Sequence, residues 1–373
     1  MRKLVEENLS KTFIENLKIT NFRNINSINY NFSKNLIAFI GKNGVGKTNI
    51  LETISLASPG RGLRNAKIEE LENFNNKSYF QGFNIRINFS IENRNLLFET
   101  FKESNDSNRK ININNEKILQ TKLSKYINII WLTPLLDSIF VESKSERRKF
   151  FDRICFNLFP EHLKNLQRYE HYQRERLKII QNTNINNNWL DVIEKYLSEL
   201  NSAISSVRVQ TIKYLNAELE KLADFYPKAF LYFEGIFENM YIDNKNSKEI
   251  EEESLKLLKN SRKEDFLKKQ TSIGIHKTDF ICVYSKKNMP AKLCSTGEQK
   301  SLLLSIVMSE ANLLSKNNNQ TPILLIDEIL SHLDEDNAKL FLNDLINLNI
   351  HCFITSTNKE FLKKFKDIEI IEI

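Results

Sequence analysis

The chain has 373 residues, 41% hydrophobic and 27% charged, the balance of a soluble globular protein with two or three core-forming units. Lys+Arg number 54 against 47 Asp+Glu, a net charge of +7 that suits a polyanionic partner and equally a solvated basic surface. No stretch reaches the roughly 18 apolar residues of a membrane span, and Met1–Glu7 lacks the apolar core of a secretion signal. The four cysteines (Cys155, Cys282, Cys294, Cys352) lie far apart in apolar settings with no CxxC pair. The expectation is a cytoplasmic protein with reduced core cysteines that hold no metal.

Residues 1–12 read as an extension. Phe13 to Ile40 reads as three strands, with Ile28, Tyr30 and Phe32 alternating with polar neighbours. The third, Leu36–Ile40, is an unbroken apolar run, the mark of a buried parallel strand. It runs into Gly41-Lys42-Asn43-Gly44-Val45-Gly46-Lys47-Thr48, a complete GxxxxGK[ST] phosphate-binding loop, and then into a helical pattern over 49–57. The glycines free backbone N–H groups to face phosphate oxygens at a helix N-terminus. In this motif Lys47 reaches the β- and γ-phosphates of ATP and the Thr48 hydroxyl ligates Mg²⁺.

A breaker-rich loop, Ser58–Arg64, follows. Its Arg61 and Arg64 suit the nucleotide, DNA or the loop itself. Strands are expected over 83–91, 96–101 and 110–118, turning at Asn105-Asp106 and Asn114-Asn115, and again over 126–132. Ser143–Glu146 has capping-box spacing, and the pattern is then helical to about residue 270. A helical hairpin is expected over 161–223, broken at Thr183–Asn188, and a charged helix over 249–269. The segment is too short for a long coiled-coil arm. Alternation then resumes: a strand over 280–284, a helix over 299–314, a strand over 322–328 and closing strands over 351–355 and 368–373.

The strand over 322–328 ends in Asp327-Glu328. Phosphoryl transfer needs a carboxylate on Mg²⁺ and a group that orients the attacking water, and these two suit those roles. Lys47, Asp327 and Glu328 are therefore the expected catalytic set, with Thr48 and Asp327 on the metal. Ser295-Thr296-Gly297-Glu298-Gln299-Lys300 opens a helix some thirty residues earlier, and Ser331-His332-Leu333-Asp334 follows closely. A Ser and a Gly at a helix start form an anion site. This order of motifs resembles the ATP-binding-cassette heads, in which Ser295, Gly297 and Gln299 would face the nucleotide of a second subunit and Asp334 would border it.

Further stretches resemble the RecF family of bacterial recombination and replication-repair ATPases. They are Phe22-Arg23-Asn24, Trp131–Pro134 with Asp137, Ser145-Glu146-Arg147-Arg148-Lys149-Phe150-Phe151-Asp152-Arg153, and Gly274-Ile275-His276-Lys277-Thr278-Asp279. In the last block Ile275, Lys277 and Thr278 depart from the family's proline, arginine and acid. Cys294 stands where cassette signatures often have leucine. The position after the last core strand reads Thr355-Ser356-Thr357 with no histidine, and no glutamine of the Q-loop kind follows Trp131. His351 reads as core or surface.

The fold implied is an α/β, P-loop ABC-type ATPase head with a strand-rich lobe and an all-helical inserted domain. Its expected divisions are the extension, 13–144, 145–270 and 271–373. The resemblance implies an ATP-dependent homodimer that clamps duplex or gapped DNA, helps load recombinase, hydrolyses ATP slowly, and works with RecR and RecO. Arg147, Arg148, Lys149 and Arg153, with Lys144 before them and Arg168, Arg174, Arg176 and Lys178 further on, suit phosphate contact. They equally suit a solvated face paired with Glu146, Asp152, Glu170 and Glu175. The alternatives are another SMC-like or cassette-type head serving a nuclease or membrane partner, and a binding switch with negligible hydrolysis.

Overall fold

The computed structural model describes residues 11–73, 82–104, 106–182, 187–317, 321–328 and 335–373. Two compact units partition them: one holds the residues up to Asp137 and those from Val307 onward, the other Ser138–Ile306.

The first unit contains two sheets. Strands β1 (Thr12–Phe22), β2 (Ile25–Asn31), β4 (Phe83–Ile91), β5 (Arg94–Lys102), β6 (Lys110–Ile113) and β7 (Glu116–Lys117) form an antiparallel sheet in the order β2-β1-β4-β5-β6-β7. In β4 the alternation of Phe83, Ile85, Ile87, Phe89 and Ile91 with polar residues places every apolar side chain in the core. The Asn114-Asn115 turn has positive φ at both residues, and so does Glu92-Asn93 between β4 and β5, the backbone of a tight two-residue hairpin. β1 starts at Thr12, whose N–H donates to the Thr321 hydroxyl, so sheet structure reaches into the end of the expected extension.

The second sheet is parallel: β14 (Ile368–Glu372), β3 (Leu36–Ile40), β13 (His351–Ser356), β12 (Ile323–Ile326) and β8 (Ile129–Leu132), in that order. β3, β8, β12 and β13 are buried at every residue, as a doubly covered parallel sheet requires. β8 is shorter than expected because Tyr126 and Ile127 close the preceding 3₁₀ turn, both N–H groups donating to the Leu123 carbonyl. His351 lies in the core: its Nδ1 accepts the Ile14 N–H at 2.8 Å, and its ring stacks on Phe13. The helices of this unit include α1 (Lys47–Ser55), the later α9 (Glu335–Asn347) and the short α10 (Lys359–Leu362).

The second unit carries α2 (Lys144–Leu158), α3 (Glu161–Ile180), α4 (Asn187–Leu219), α5 (Ile236–Ile242), α6 (Ser247–Asn260) and α7 (Arg262–Lys268). The stretch expected to be all helical contains one strand, β9 (Ala229–Glu234), which pairs with β10 (Asp279–Tyr284); β10 in turn pairs with β11 (Met289–Pro290). Phe230 and Tyr232 on its outer face are aromatic, like the apolar inner set Ala229, Leu231 and Phe233, so no period-2 pattern marked it. The single helix expected over 249–269 breaks at Ser261, whose hydroxyl donates to Asp265. Helix α8 (Thr296–Asn317) begins in this unit and ends in the other.

The second unit is cross-braced by two fully buried arginines. Arg176 pairs with Glu194 at 3.0 Å and with Asp265. Arg208 makes a two-pronged bond to Asp152 (2.9 and 2.8 Å) and reaches Glu238 at 3.0 Å. Burial alone would raise Asp152; Arg208 and His162 outweigh it and hold the carboxyl below its usual range. The four cysteines are buried and unbridged, as expected. Asp152, Cys155 and His162 bring ligand atoms within 4.8 Å, but both Asp152 oxygens serve Arg208, a cation that opposes a metal ion there.

Candidate functional site

The parallel sheet brings together the motifs the sequence separates by nearly 300 residues. The glycine loop leaves the carboxyl end of β3, Asp327 and Glu328 leave β12, and Thr355 sits near the end of β13, paired across the sheet with Phe39. This is the edge at which open α/β sheets place their ligands.

The loop is built for its glycines at two points. Gly46 has φ +118, and a Cβ there would meet the Asn24 amide at 2.9 Å. At Gly41 a Cβ would meet the Ile373 carbonyl oxygen at 2.7 Å, because the chain past β14 runs alongside. Lys47 is buried, with Nζ donating to the carbonyls of Gly41 (2.7 Å) and Lys42 (3.0 Å). An ammonium has three donors, so this leaves one for a phosphate oxygen. A cavity of about 260 Å³ opens here, lined by Gly44, Gly46, Lys47, Thr48, Arg64 and Glu328 among others.

The Thr48 hydroxyl lies 3.0 and 2.9 Å from the two Asp327 oxygens. Two hard oxygen ligands side by side, one of them anionic, fit the donor set of Mg²⁺. Thr355 locks this pair in place. Its hydroxyl donates to Asp327 Oδ1 at 2.6 Å and accepts the Glu328 N–H at 2.9 Å. Glu328 has φ +55, a left-handed backbone unusual for its side chain. Strain of this kind persists where neighbours over-determine it, and here the Thr355 bond does so.

Behind the loop lies a network that sequence reasoning did not find. Glu52 of α1 is fully buried and takes both prongs of Arg23 at 3.0 and 2.7 Å, with Arg64 at 3.6 Å. Arg64 also donates to Asn49, Asn49 to Asn24, and Asn24 to the Val45 carbonyl in the loop itself. A charged residue among Ile50, Leu51 and Ile54 on a short helix was the available signal.

The signature stretch is a helix cap in its own right. Ser295 N–H and hydroxyl both donate to Glu298 Oε2 at 3.0 Å, and the Glu298 N–H returns to Ser295. Gln299 is buried, its amide donating to the Cys294 carbonyl at 2.9 Å, so it faces inward. At Gly297 a Cβ would meet nothing, so no neighbour in the chain demands a glycine there. Asp334, with Ser331–Leu333, lies outside the described residues.

The basic residues of this stretch divide between buried ion pairs and exposed positions. Arg147 is committed to Asp279 at 2.9 and 2.7 Å, Arg148 donates to the Thr278 carbonyl at 2.7 Å, and Arg176 is fully buried. Arg153 is half-buried over the Phe150 ring. Lys149 is exposed, paired with Glu146. Helix geometry turns successive residues to different faces, which is why a run of like charges does not make one patch. The Gly274–Asp279 block is structural: Tyr169 bonds His276 at 2.7 Å, Thr278 donates to Glu238, and Asp279 receives Arg147.

A parallel sheet presenting a GxxxxGKT loop, a threonine hydroxyl and a strand-end carboxylate at one edge defines a P-loop ATPase head. The family described as the RecF/RecN/SMC N-terminal domain matches residues 13–372. The DNA replication and repair protein RecF of Rickettsia akari (strain Hartford) is 35% identical over 362 residues, covering 96% of this chain and 98% of that one. Two solved structures share the fold. The recombination mediator protein RecF with ATPrS gives a TM-score of 0.84 at 23% identity, over 98% of this chain and 97% of that one. RecF with ATP gives 0.81 at 24% identity, over 94% of each. The chain belongs to the RecF family of P-loop heads.

Proposed function

We propose that this chain is an ATP-dependent DNA-binding protein of recombinational repair and replication, in which ATP closes two copies around duplex or gapped DNA and hydrolysis releases it. The observation that carries the reading is the Lys47, Thr48, Asp327 and Thr355 cluster at the carboxyl edge of the sheet. The relatives support it: one carries the name DNA replication and repair protein, and the structural neighbours were solved with ATP or ATPrS in the RecFOR pathway. RecR and RecO are the proposed partners, recombinase loading the outcome, and the cytoplasm the place.

Lys47 would hold the β- and γ-phosphates with the loop N–H groups, and Thr48 and Asp327 would hold Mg²⁺. Bound there, the metal supplies charge neutralisation at the phosphate oxygens. Glu328, its backbone pinned by Thr355, would orient the attacking water. Ser295 and Gly297 would complete the site of the second copy, where a glycine its own chain does not require permits close backbone approach. Asp334 would border that site.

A second reading has one specific observation behind it. Thr355 is the penultimate residue of the central strand β13, and its hydroxyl is spent on Asp327 and on the Glu328 backbone. A hydroxyl is a poor general base, which favours a switch that binds ATP and hydrolyses it very slowly. Glu328→Gln separates the two. A hydrolytic cycle predicts that ATP-loaded protein stays on DNA about tenfold longer or more in the variant. An unchanged DNA lifetime favours the binding-only switch.

A further inference from the structure

At the opposite end of α1 from the phosphate loop, about 13 Å along a nine-residue helix, the first unit contains a separate cavity of about 530 Å³. That volume is within the roughly 300–1,000 Å³ that holds small-molecule ligands. Its wall includes Ala66, Ile111 and Ile118, an apolar surface, and four cationic side chains: Arg61, Arg109, Lys110 and Lys117. The acid in the lining is Asp106, which pairs with Lys110 at 2.7 Å; Lys110 also takes Glu103 at 3.0 Å.

Arg109 is the unusual member. Its side chain is half-buried and lines the cavity; its Nη1 makes one long bond, 3.3 Å, to the Leu56 carbonyl, and its Nη2, packed away from the cavity with almost no accessible surface, has no hydrogen-bond partner among the described residues. Among the described residues no carboxylate offsets the charge, and burial lowers its pKa to about 10. A guanidinium presents five donors in a planar fork suited to a two-pronged anion. Buried polar groups in folded proteins are nearly always satisfied, so a missing partner needs a physical explanation.

We infer that this cavity binds a phosphate ester of nucleotide size, its phosphate on Arg109 with Arg61 and Lys117 at the mouth, and its ring on the Ala66, Ile111 and Ile118 wall. The cationic excess favours a phosphate over a single carboxylate. The source is either a free mononucleotide or one unit of a nucleic-acid strand. None of the cavity's residues belongs to the phosphate loop.

The test is titration of thymidine 5′-monophosphate, a short oligothymidylate and inorganic phosphate by calorimetry, using wild type, Arg109→Met and Lys47→Met. ATP binding is measured alongside. The expected result is that Arg109→Met weakens the monophosphate, the oligonucleotide or both by about tenfold or more, while Lys47→Met leaves them in place and loses ATP. Binding of the oligonucleotide alone assigns the site to a strand, and binding of the monophosphate assigns it to a free nucleotide. Unchanged affinities in Arg109→Met, or binding of inorganic phosphate only, overturn the proposal. Thermal melting of the unliganded variant is the control. Removing a half-buried charge with no carboxylate beside it leaves the melting temperature unchanged or raises it, whereas a large fall with unchanged affinities makes Arg109 a cap for α1. Lys117→Glu, exposed at the mouth, weakens binding in a chain whose fold it does not touch. No effect of Lys117→Glu on any of the three ligands counts against the site.

Discussion

Thr355 is the residue on which the site's geometry converges, since one hydroxyl orders both the Asp327 carboxylate and the Glu328 backbone. Replacing it with valine keeps the shape and removes both bonds. Losing a partner that orients a metal ligand typically costs about 10–100-fold in activity. Thr355→Val is therefore expected to slow ATP hydrolysis by that factor while ATP affinity changes much less. A steady-state rate equal to wild type would show that Asp327 needs no such support. Gly46 is a second sensitive point. With φ at +118 and the Asn24 amide only 2.9 Å from where a Cβ would stand, the loop has no room for alanine. Gly46→Ala is expected to abolish ATP binding, read by equilibrium dialysis, and retained binding would contradict the close packing of Asn24 on the loop.

At the scale of elements, α1 is held by charge as much as by apolar packing. Arg23 retains some exposure, but Glu52 has none, so Arg23→Met strands a buried carboxylate with only Arg64 at 3.6 Å. Breaking a buried pair from one side costs about 3–5 kcal/mol, whereas replacing both partners with apolar residues is often neutral. Urea unfolding should therefore show a large loss for Arg23→Met and a substantial recovery in Arg23→Met with Glu52→Met. Equal losses in both chains would mean that the stranded Glu52 charge is not what costs the stability. This network also marks the limit of what the sequence discloses. The glycine loop and the Asp327-Glu328 strand end were legible because each depends on local residue type and spacing. The partners of Glu52 were not, because Arg23 and Arg64 are brought to it by the turn after β1 and by a loop, and pairing over such distances leaves no local period. For the same reason β9 was missed within a helical stretch, and Arg147 was weighed between phosphate contact and ion pairs with nearby helical acids when its partner is Asp279 of β10.

For the whole molecule, each unit holds a desolvated histidine, fully buried at His351 and half-buried at His276. Burial pushes His351 down to about 3 and His276 to about 4, against about 6.5 in an unfolded chain. Below 6.5 the unfolded chain binds more protons at these sites, so their stabilisation is complete above that pH. It is lost as pH falls toward 4 and 3, by up to about 1.4 kcal/mol per pH unit per site. The urea midpoint is expected to fall between pH 7 and pH 5, and a flat profile would mean that these rings do not stay neutral. Among the described residues no helix is long and apolar enough to cross a membrane, and the net charge of +7 suits a polyanion. The most direct test of an ATP-driven DNA clamp is the binding of a labelled gapped duplex with ATP, with ADP and without nucleotide, at two salt concentrations, for wild type and Lys47→Met. Such a clamp predicts binding that requires ATP, weakens with salt and is lost in the variant. Binding that ignores nucleotide, or survives Lys47→Met, would contradict it.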